Sequence, residues 1–156
     1  MGIMQALFSA AIAAGFKVKN SVRLRKNANA YLSRTPTVAP TSSTVWTFST
    51  WLKRGEIGTL QRLLSAGTAG ADESDIQINA SDQLQVYNSS ASLDCQRLTT
   101  AVFRDPSAAY HIVIASNGAT SIRLYANGVE LTAFSGSWSA LMLPLGDSTG
   151  QGCFKI

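Results

Sequence analysis

The side chains able to do chemistry are few and scattered. The chain has one histidine, His111, and two cysteines, Cys95 and Cys153; its densest group of acids is Asp72-Glu73-Ser74-Asp75. A hydrolytic triad would need a nucleophile and an orienting acid around His111, and no GxSxG elbow occurs; inside the apolar run AYHIVIAS the ring reads as a hydrogen-bonded structural histidine. The cysteines lack CxxC or Cys/His spacing, so they form no metal pattern and read as buried thiols of a chain made in a reducing compartment, a single bridge being the alternative. Glycan hydrolysis needs two carboxyls flanking one bond, most simply acids alternating along a strand so that they share a face. No strand of that kind is evident, because residues 66–74 read as a glycine-rich loop that holds the acidic cluster. Such a loop is solvated by default, and its carboxylates, Asp72 and Asp75, are weak candidates for Ca²⁺ ligands, with Asp105 and Asp147 as further rim acids. The glycine-rich loops lack the Lys-Ser/Thr of a phosphate-binding loop. No enzymatic activity and no obligatory cofactor are expected. Among the aromatics, Trp46, Trp51, Tyr110 and Tyr125 sit in strand-like runs and read as core or strand surface. Trp138, in the loop FSGSWSA, is the residue singled out for stacking on a sugar ring, with packing or a subunit contact as the alternative.

The elements that would position these residues are strands. The run from Ala109 to Leu131 holds two apolar stretches, each closed by an Asn-Gly pair, Asn117-Gly118 and Asn127-Gly128. Asn-Gly supplies the positive φ angles that a two-residue hairpin requires, so an antiparallel meander is expected. Upstream, strands are expected at 21–25, 30–34, 45–53, 60–65, 75–79, 84–87 and 93–103. The composition is 46% hydrophobic and only 14% charged. That balance suits short strands joined by small-residue turns, and the regular turn spacing points to an all-β, two-sheet antiparallel sandwich or jelly roll over residues 21–156.

Residues 1–20 differ in character. Met4, Leu7, Phe8 and Ile12 fall at helical spacing, with Phe16 beyond them, and the stretch is far short of the roughly 20 apolar residues that cross a bilayer. No membrane span is expected. An apolar stripe on so short an element wants a partner, which favours a docking or oligomerisation segment. A signal peptide is the alternative, although no Lys or Arg precedes the apolar run. The net charge of +4 is uneven, with every cation from Lys17 to Arg34 free of acidic neighbours in sequence. Lys17, Lys19, Arg23, Arg25 and Lys26 could meet an acidic neighbour; Arg23 and Arg25 alternate with Val22 and Leu24 as on a solvated strand face. No aromatics are interleaved to stack bases, so nucleic acid is not an expected partner. At the other end, residues 141–156 look like a turn and an interrupted strand, as in a fragment of a longer chain or a sheet completed by a neighbour.

Four stretches carry a family resemblance: AYLSRTP (30–36), WTFSTWLKR (46–54), the Tyr110-His111 pair after a proline, and Tyr125-x-Asn127-Gly128-Val129. Together they resemble the laminin G-like, concanavalin-type jelly-roll domains of bacteriophage tail and fibre proteins, over residues 21–131. The resemblance implies a non-enzymatic virion component, assembled in the host cytoplasm, docked through its N-terminus to other virion proteins. It also implies a homo-oligomer, a trimer if the protein is a fibre, displaying the jelly roll to host-surface glycans. A capsid decoration protein and a secreted lectin are the alternatives. Some laminin G-like domains bind Ca²⁺ at the sandwich rim, the setting in which Asp72 and Asp75 were considered.

If residues 1–20 are an anchor, a chain lacking them keeps a cooperative thermal transition and loses incorporation into the particle. Incorporation measured beside the melt checks this: normal incorporation removes the anchor, and loss of the transition makes the segment part of the domain core.

Overall fold

The computed structural model describes residues 20–25, 30–34, 38, 41–42, 45–67, 72–90, 93–117 and 121–135. Met1–Ala30 and Tyr31–Ile156 are separate compact units, and every strand among the described residues lies in the second. The strands are β1 (Val45–Lys53), β2 (Gln61–Gly67), β3 (Asp72–Ile78), β4 (Gln83–Ser90), β5 (Leu93–Val102), β6 (Ala109–Asn117), β7 (Ile122–Ala126), β8 (Val129–Leu131) and β9 (Phe134–Ser135). They build a four-stranded sheet in the order β1-β6-β7-β8 and a five-stranded sheet in the order β2-β3-β4-β5-β9, all neighbours antiparallel. No helix occurs among the described residues, and the all-β two-sheet architecture stands as expected.

β1 shows why. Its sequence VWTFSTWLK is rich in β-branched and aromatic residues, and it alternates strictly, with even positions turned inward and odd positions exposed. Trp46, Phe48 and Leu52 pack on the core, which the four-stranded sheet supplies with Ile112, Ile114 and Leu124 and the five-stranded sheet with Leu64, Ile76, Ile78, Leu84 and Val86. All eight of those aliphatic side chains are at most 5% exposed, so the two inner faces form one continuous apolar layer.

The turns match the sequence in one place and depart from it in another. Asn127 (φ 52°) and Gly128 (φ 81°) make a two-residue turn between β7 and β8. Asn117 pairs with Ser121, its N–H donating to the Ser121 carbonyl at 2.9 Å, so β6 and β7 are joined through residues 118–120, one residue more than a two-residue turn. The β3–β4 hairpin is closed by Asn79, whose side-chain oxygen accepts from the N–H groups of Ser81 (2.9 Å) and Gln83 (3.0 Å).

Two further expectations are corrected. Residues 21–25 and 30–34 are not strands; they have no regular structure, and Val22 is 69% and Tyr31 60% exposed. Alternating residues do not make a strand without a paired neighbour to satisfy its backbone. Arg23 and Arg25 are exposed, but on irregular chain rather than on a half-buried strand face. The supposed loop 66–74 ends early, since β3 begins at Asp72 and pairs with both β2 and β4. Pairing on both sides outweighs the poor strand propensity of its Asp, Glu and Ser.

At one end of the sandwich a buried ion pair links the sheets. Arg54, just past β1, donates through Nη2 to Asp82 Oδ1 (2.9 Å) in the β3–β4 turn, through Nη1 to the Phe103 carbonyl (2.9 Å) after β5, and through Nε to Gln61 Oε1 (2.7 Å) at the start of β2. The Gly58 N–H also donates to Asp82 Oδ1 (2.8 Å), and Arg104 Nε to Oδ2 (3.1 Å). The Gly58 donor foremost, with Arg54 and Arg104, holds the Asp82 carboxyl below the usual carboxylate range against the opposing effect of desolvation. A carboxylate favoured in the fold stabilises it at pH above its unfolded value of about 4, and that contribution is lost as pH falls below 4 through the lowered native value. Asp82→Asn is therefore expected to unfold at lower urea concentration than the parent at neutral pH, with the gap narrowing below about pH 4; a gap independent of pH in urea titrations would contradict the pair.

Candidate functional site

The outer face of the four-stranded sheet gathers Trp51, His111 and Tyr125. Strand alternation sends Ser49 and Trp51 outward from β1, and the β1–β6 register sets Trp51 opposite His111 and Ser49 opposite Val113. The β6–β7 register then sets Val113 opposite Tyr125. The Trp51 and His111 rings stack with centroids 4.6 Å apart and planes within 12° of parallel. Trp51 is nonetheless 58% exposed, so one face of its indole is left to solvent. Two contacts fix the histidine beneath it. The Ser49 hydroxyl and His111 Nε2 share a hydrogen bond of 3.0 Å, and the His111 backbone N–H donates to Asn127 Oδ1 at 2.8 Å. Asn127 returns the contact, its own N–H donating to the His111 carbonyl at 2.8 Å. The left-handed turn residue is thus tied to the strand that carries the histidine.

Ser49 and His111 stand at the distance of a nucleophile and its base, but among the described residues no carboxylate hydrogen-bonds the imidazole to complete a triad. A rigid exposed indole ringed by hydroxyl, amide and imidazole groups can take the C–H face of a pyranose ring and hydrogen-bond its hydroxyls.

The acidic cluster has a different setting from the one expected. On β3, Glu73, Asp75 and Gln77 alternate with the core-facing Ile76 and Ile78, so they share the face of the five-stranded sheet turned away from the core. Two acids do alternate along one strand here, a pattern hidden from the sequence reading by the loop assignment. Arg62 bridges them, with Nε on Asp75 Oδ2 (2.5 Å) and Nη2 on Glu73 Oε1 (3.0 Å), and the Tyr87 hydroxyl donates to the same Asp75 oxygen (3.0 Å). A bridging guanidinium fills the gap in which two catalytic carboxyls would need to hold a scissile bond. Asp75 is fully buried, which corrects its placement in a solvated loop: burial and the bonds from Arg62 and Tyr87 commit it to the strand. Asp72 begins β3 instead of lying in a loop. Asp105 accepts from the Ser107 hydroxyl (2.6 Å) and N–H (2.8 Å), which hold its carboxyl below the usual range. No group of three or more metal-ligating side chains occurs among the described residues.

Of the other residues picked from sequence, Met4, Leu7, Phe8, Ile12, Phe16, Lys17, Lys19, Lys26, Trp138, Asp147 and Cys153 lie outside the described residues. The sequence reading passed over Ser49 and Asn127 as site residues. The signal was there, in Ser-x-Trp on one strand and Tyr-x-Asn-Gly after the next, but only the register shows that they meet.

Two antiparallel sheets of four and five strands, packed face to face with an exposed aromatic strip on one outer face, define a concanavalin-type jelly-roll sandwich. The model of the concanavalin A-like lectin/glucanases superfamily, in its laminin G-type form, matches residues 26–150, and the chain belongs to that superfamily. No curated protein and no solved structure matches the chain.

Burial first, and then the neighbouring Asp75 charge, push the Tyr87 hydroxyl from 10.0 up to about 12. The fold favours the protonated phenol, so this contribution to stability is whole below about pH 10 and is lost as pH rises through 12. Following phenolate absorbance with pH, one of the four tyrosines is expected to titrate near 12 and to disappear from the curve in Tyr87→Phe. Titration of every tyrosine near 10 would contradict the buried Tyr87–Asp75 contact.

Proposed function

We propose that the chain is a non-enzymatic carbohydrate-binding domain whose contact surface is the outer face of the four-stranded sheet. The observation that carries this reading is the Trp51 ring, stacked on His111 at 4.6 Å yet 58% exposed. An indole held flat is ordered before binding, so a sugar that stacks on it pays little side-chain entropy. Membership of a lectin and glucanase superfamily is consistent with saccharide recognition. The non-catalytic part of the reading rests on the Arg62 bridge across Glu73 and Asp75.

Within this reading the domain serves host attachment on a phage virion, as a tail fibre or tail-associated component, most simply a trimer. The resemblance of residues 30–36 and 46–54 to phage tail domains supports it, as does the apolar N-terminal stripe suited to docking on other virion proteins. A capsid decoration protein and a secreted lectin present the same face to glycans. No cofactor is required.

A glycan array probed with the full chain tests the domain reading. Binding to at least one saccharide is expected, and Trp51→Ala is expected to weaken it by at least about tenfold while leaving the thermal transition in place, because an exposed aromatic anchor contributes to binding more than to folding. Undiminished binding by Trp51→Ala would move the site elsewhere.

A further inference from the structure

We propose that the outer face of the four-stranded sheet binds an internal stretch of a linear polysaccharide, with Tyr125 as a second aromatic platform beside Trp51; the inference rests on the glycan-binding reading above. The register places the second ring. Tyr125 is opposite Val113 on β6, and Val113 is opposite Ser49 on β1, two residues before Trp51. Leu124 is buried in the core and Ala126 packs against it, so Tyr125 between them is turned to the same outer face as Trp51. Two strand spacings across the sheet and two residues along it set the Cα atoms of Trp51 and Tyr125 roughly 12 Å apart. A single pyranose ring is shorter than that span. A terminal sugar therefore meets one platform, and only a run of consecutive sugars meets both.

The ground between the two rings is low. On β6 the outward residues after His111 are Val113 and Ala115, both half-buried, while Ile112 and Ile114 belong to the core. Short side chains there leave a shallow track from one ring to the other. Polar groups border it, with exposed Ser49 on the β1 side and Arg123 and Glu130 on the β7–β8 side, their side chains 63% and 41% exposed. A sugar chain carries apolar C–H faces and hydroxyl edges along its whole length. Aromatic platforms with hydroxyl, guanidinium and carboxylate groups beside them match that pattern over successive rings.

Pairing within one sheet makes the spacing of the platforms a property of the backbone. β1 and β7 both bond to β6, so the distance between their outward rings is set by strand ladders. Asn127, two residues after Tyr125, is bonded in both directions to the backbone of His111, the residue on which Trp51 stacks. The second ring has its own restraint. Arg123, two residues earlier on the same face, lies against the Tyr125 hydroxyl, and this contact, ahead of the Glu130 charge, holds the guanidinium above its usual range. Both platforms are thus ordered before a sugar arrives, and stacking on them costs little side-chain entropy.

Calorimetric titration of the full chain with a length series, from the monosaccharide to the hexasaccharide of whichever saccharide the array binds best, tests the proposal. Affinity is expected to rise at least about tenfold once the oligomer is long enough to reach the second ring, the contribution of one further aromatic anchor. Tyr125→Ala is expected to remove that rise and to leave binding of the shortest bound oligomers unchanged, whereas Trp51→Ala weakens binding at every length. If Tyr125→Ala fails to fold, Tyr125→Leu decides, since it keeps an apolar body on the strand and removes the flat ring. Affinity that does not grow with length, or growth that survives loss of the Tyr125 ring, overturns the second platform and leaves the glycan-binding reading standing. Absence of binding to every saccharide on the array would overturn that reading and this inference together.

Discussion

The buried contact between Arg54 and Asp82 is the constraint on which the sandwich turns. Arg54 leaves the end of a strand in one sheet, Asp82 sits in a hairpin turn of the other, and the side chains are 0% and 3% exposed. Taking two charges out of water is costly, and the cost is recovered only when the remaining donors and acceptors are also satisfied. Here they are: the guanidinium reaches Gln61, Phe103, Glu56 and Asp82, and the carboxylate takes Gly58 and Arg104 as well. Such a network specifies geometry more than it adds stability, because any slip of the sheets would leave a buried charge without its partner. Asp82 adopts a left-handed backbone (φ 63°), one of only two non-glycine residues to do so among those described, and its carbonyl accepts from the Phe103 N–H at 2.8 Å. Backbone strain and side-chain pairing thus meet at the same turn.

That end of the fold also sets the register of the exposed face of β1. Arg54 directly follows the last residue of β1, so anchoring it fixes where β1 stops, and with it which of its residues face outward. From there the coupling runs through single contacts: Trp51 on His111, His111 to Ser49, and the His111 backbone to Asn127. Three of the four stretches that carry the family resemblance, 46–54, Tyr110-His111 and 125–129, therefore meet in space. Asn127 works twice, supplying the positive φ of the turn and the side-chain acceptor that locks the turn to the neighbouring strand.

The two outer faces divide the labour. On the five-stranded sheet, Arg62 and Tyr87 both bond Oδ2 of the wholly buried Asp75, whose Oδ1 has no hydrogen-bond partner among the described residues. On the four-stranded sheet the hydrogen bonds pin the platform from beneath and at its edge, leaving an indole face, half-buried Tyr125 and exposed Arg123 toward solvent. Polar groups already paired with each other gain little from a ligand, whereas an ordered, exposed aromatic ring gains from any apolar surface laid upon it.

Local pattern determined a good part of this. Alternation in β1 and its partial form in β6, the Asn-Gly pair at 127–128 and the Tyr-His and Trp-x-x-x-x-Trp spacings are properties of short stretches, and each maps directly onto strand geometry and turn angles. The two-sheet class followed from them. What they could not show was which segments find a partner. Residues 21–25 alternate well and form no strand, whereas Asp72-Glu73-Ser74 alternates poorly by hydropathy and does, because β2 and β4 flank it on both sides. The Arg54–Asp82 link joins residues far apart in sequence, and the Trp51–His111 stack depends on inter-strand register. Strand propensity is a local preference of about 1 kcal/mol per residue at most, and pairing and burial exceed it, so the faces, the buried charges and the site were decided by tertiary structure alone.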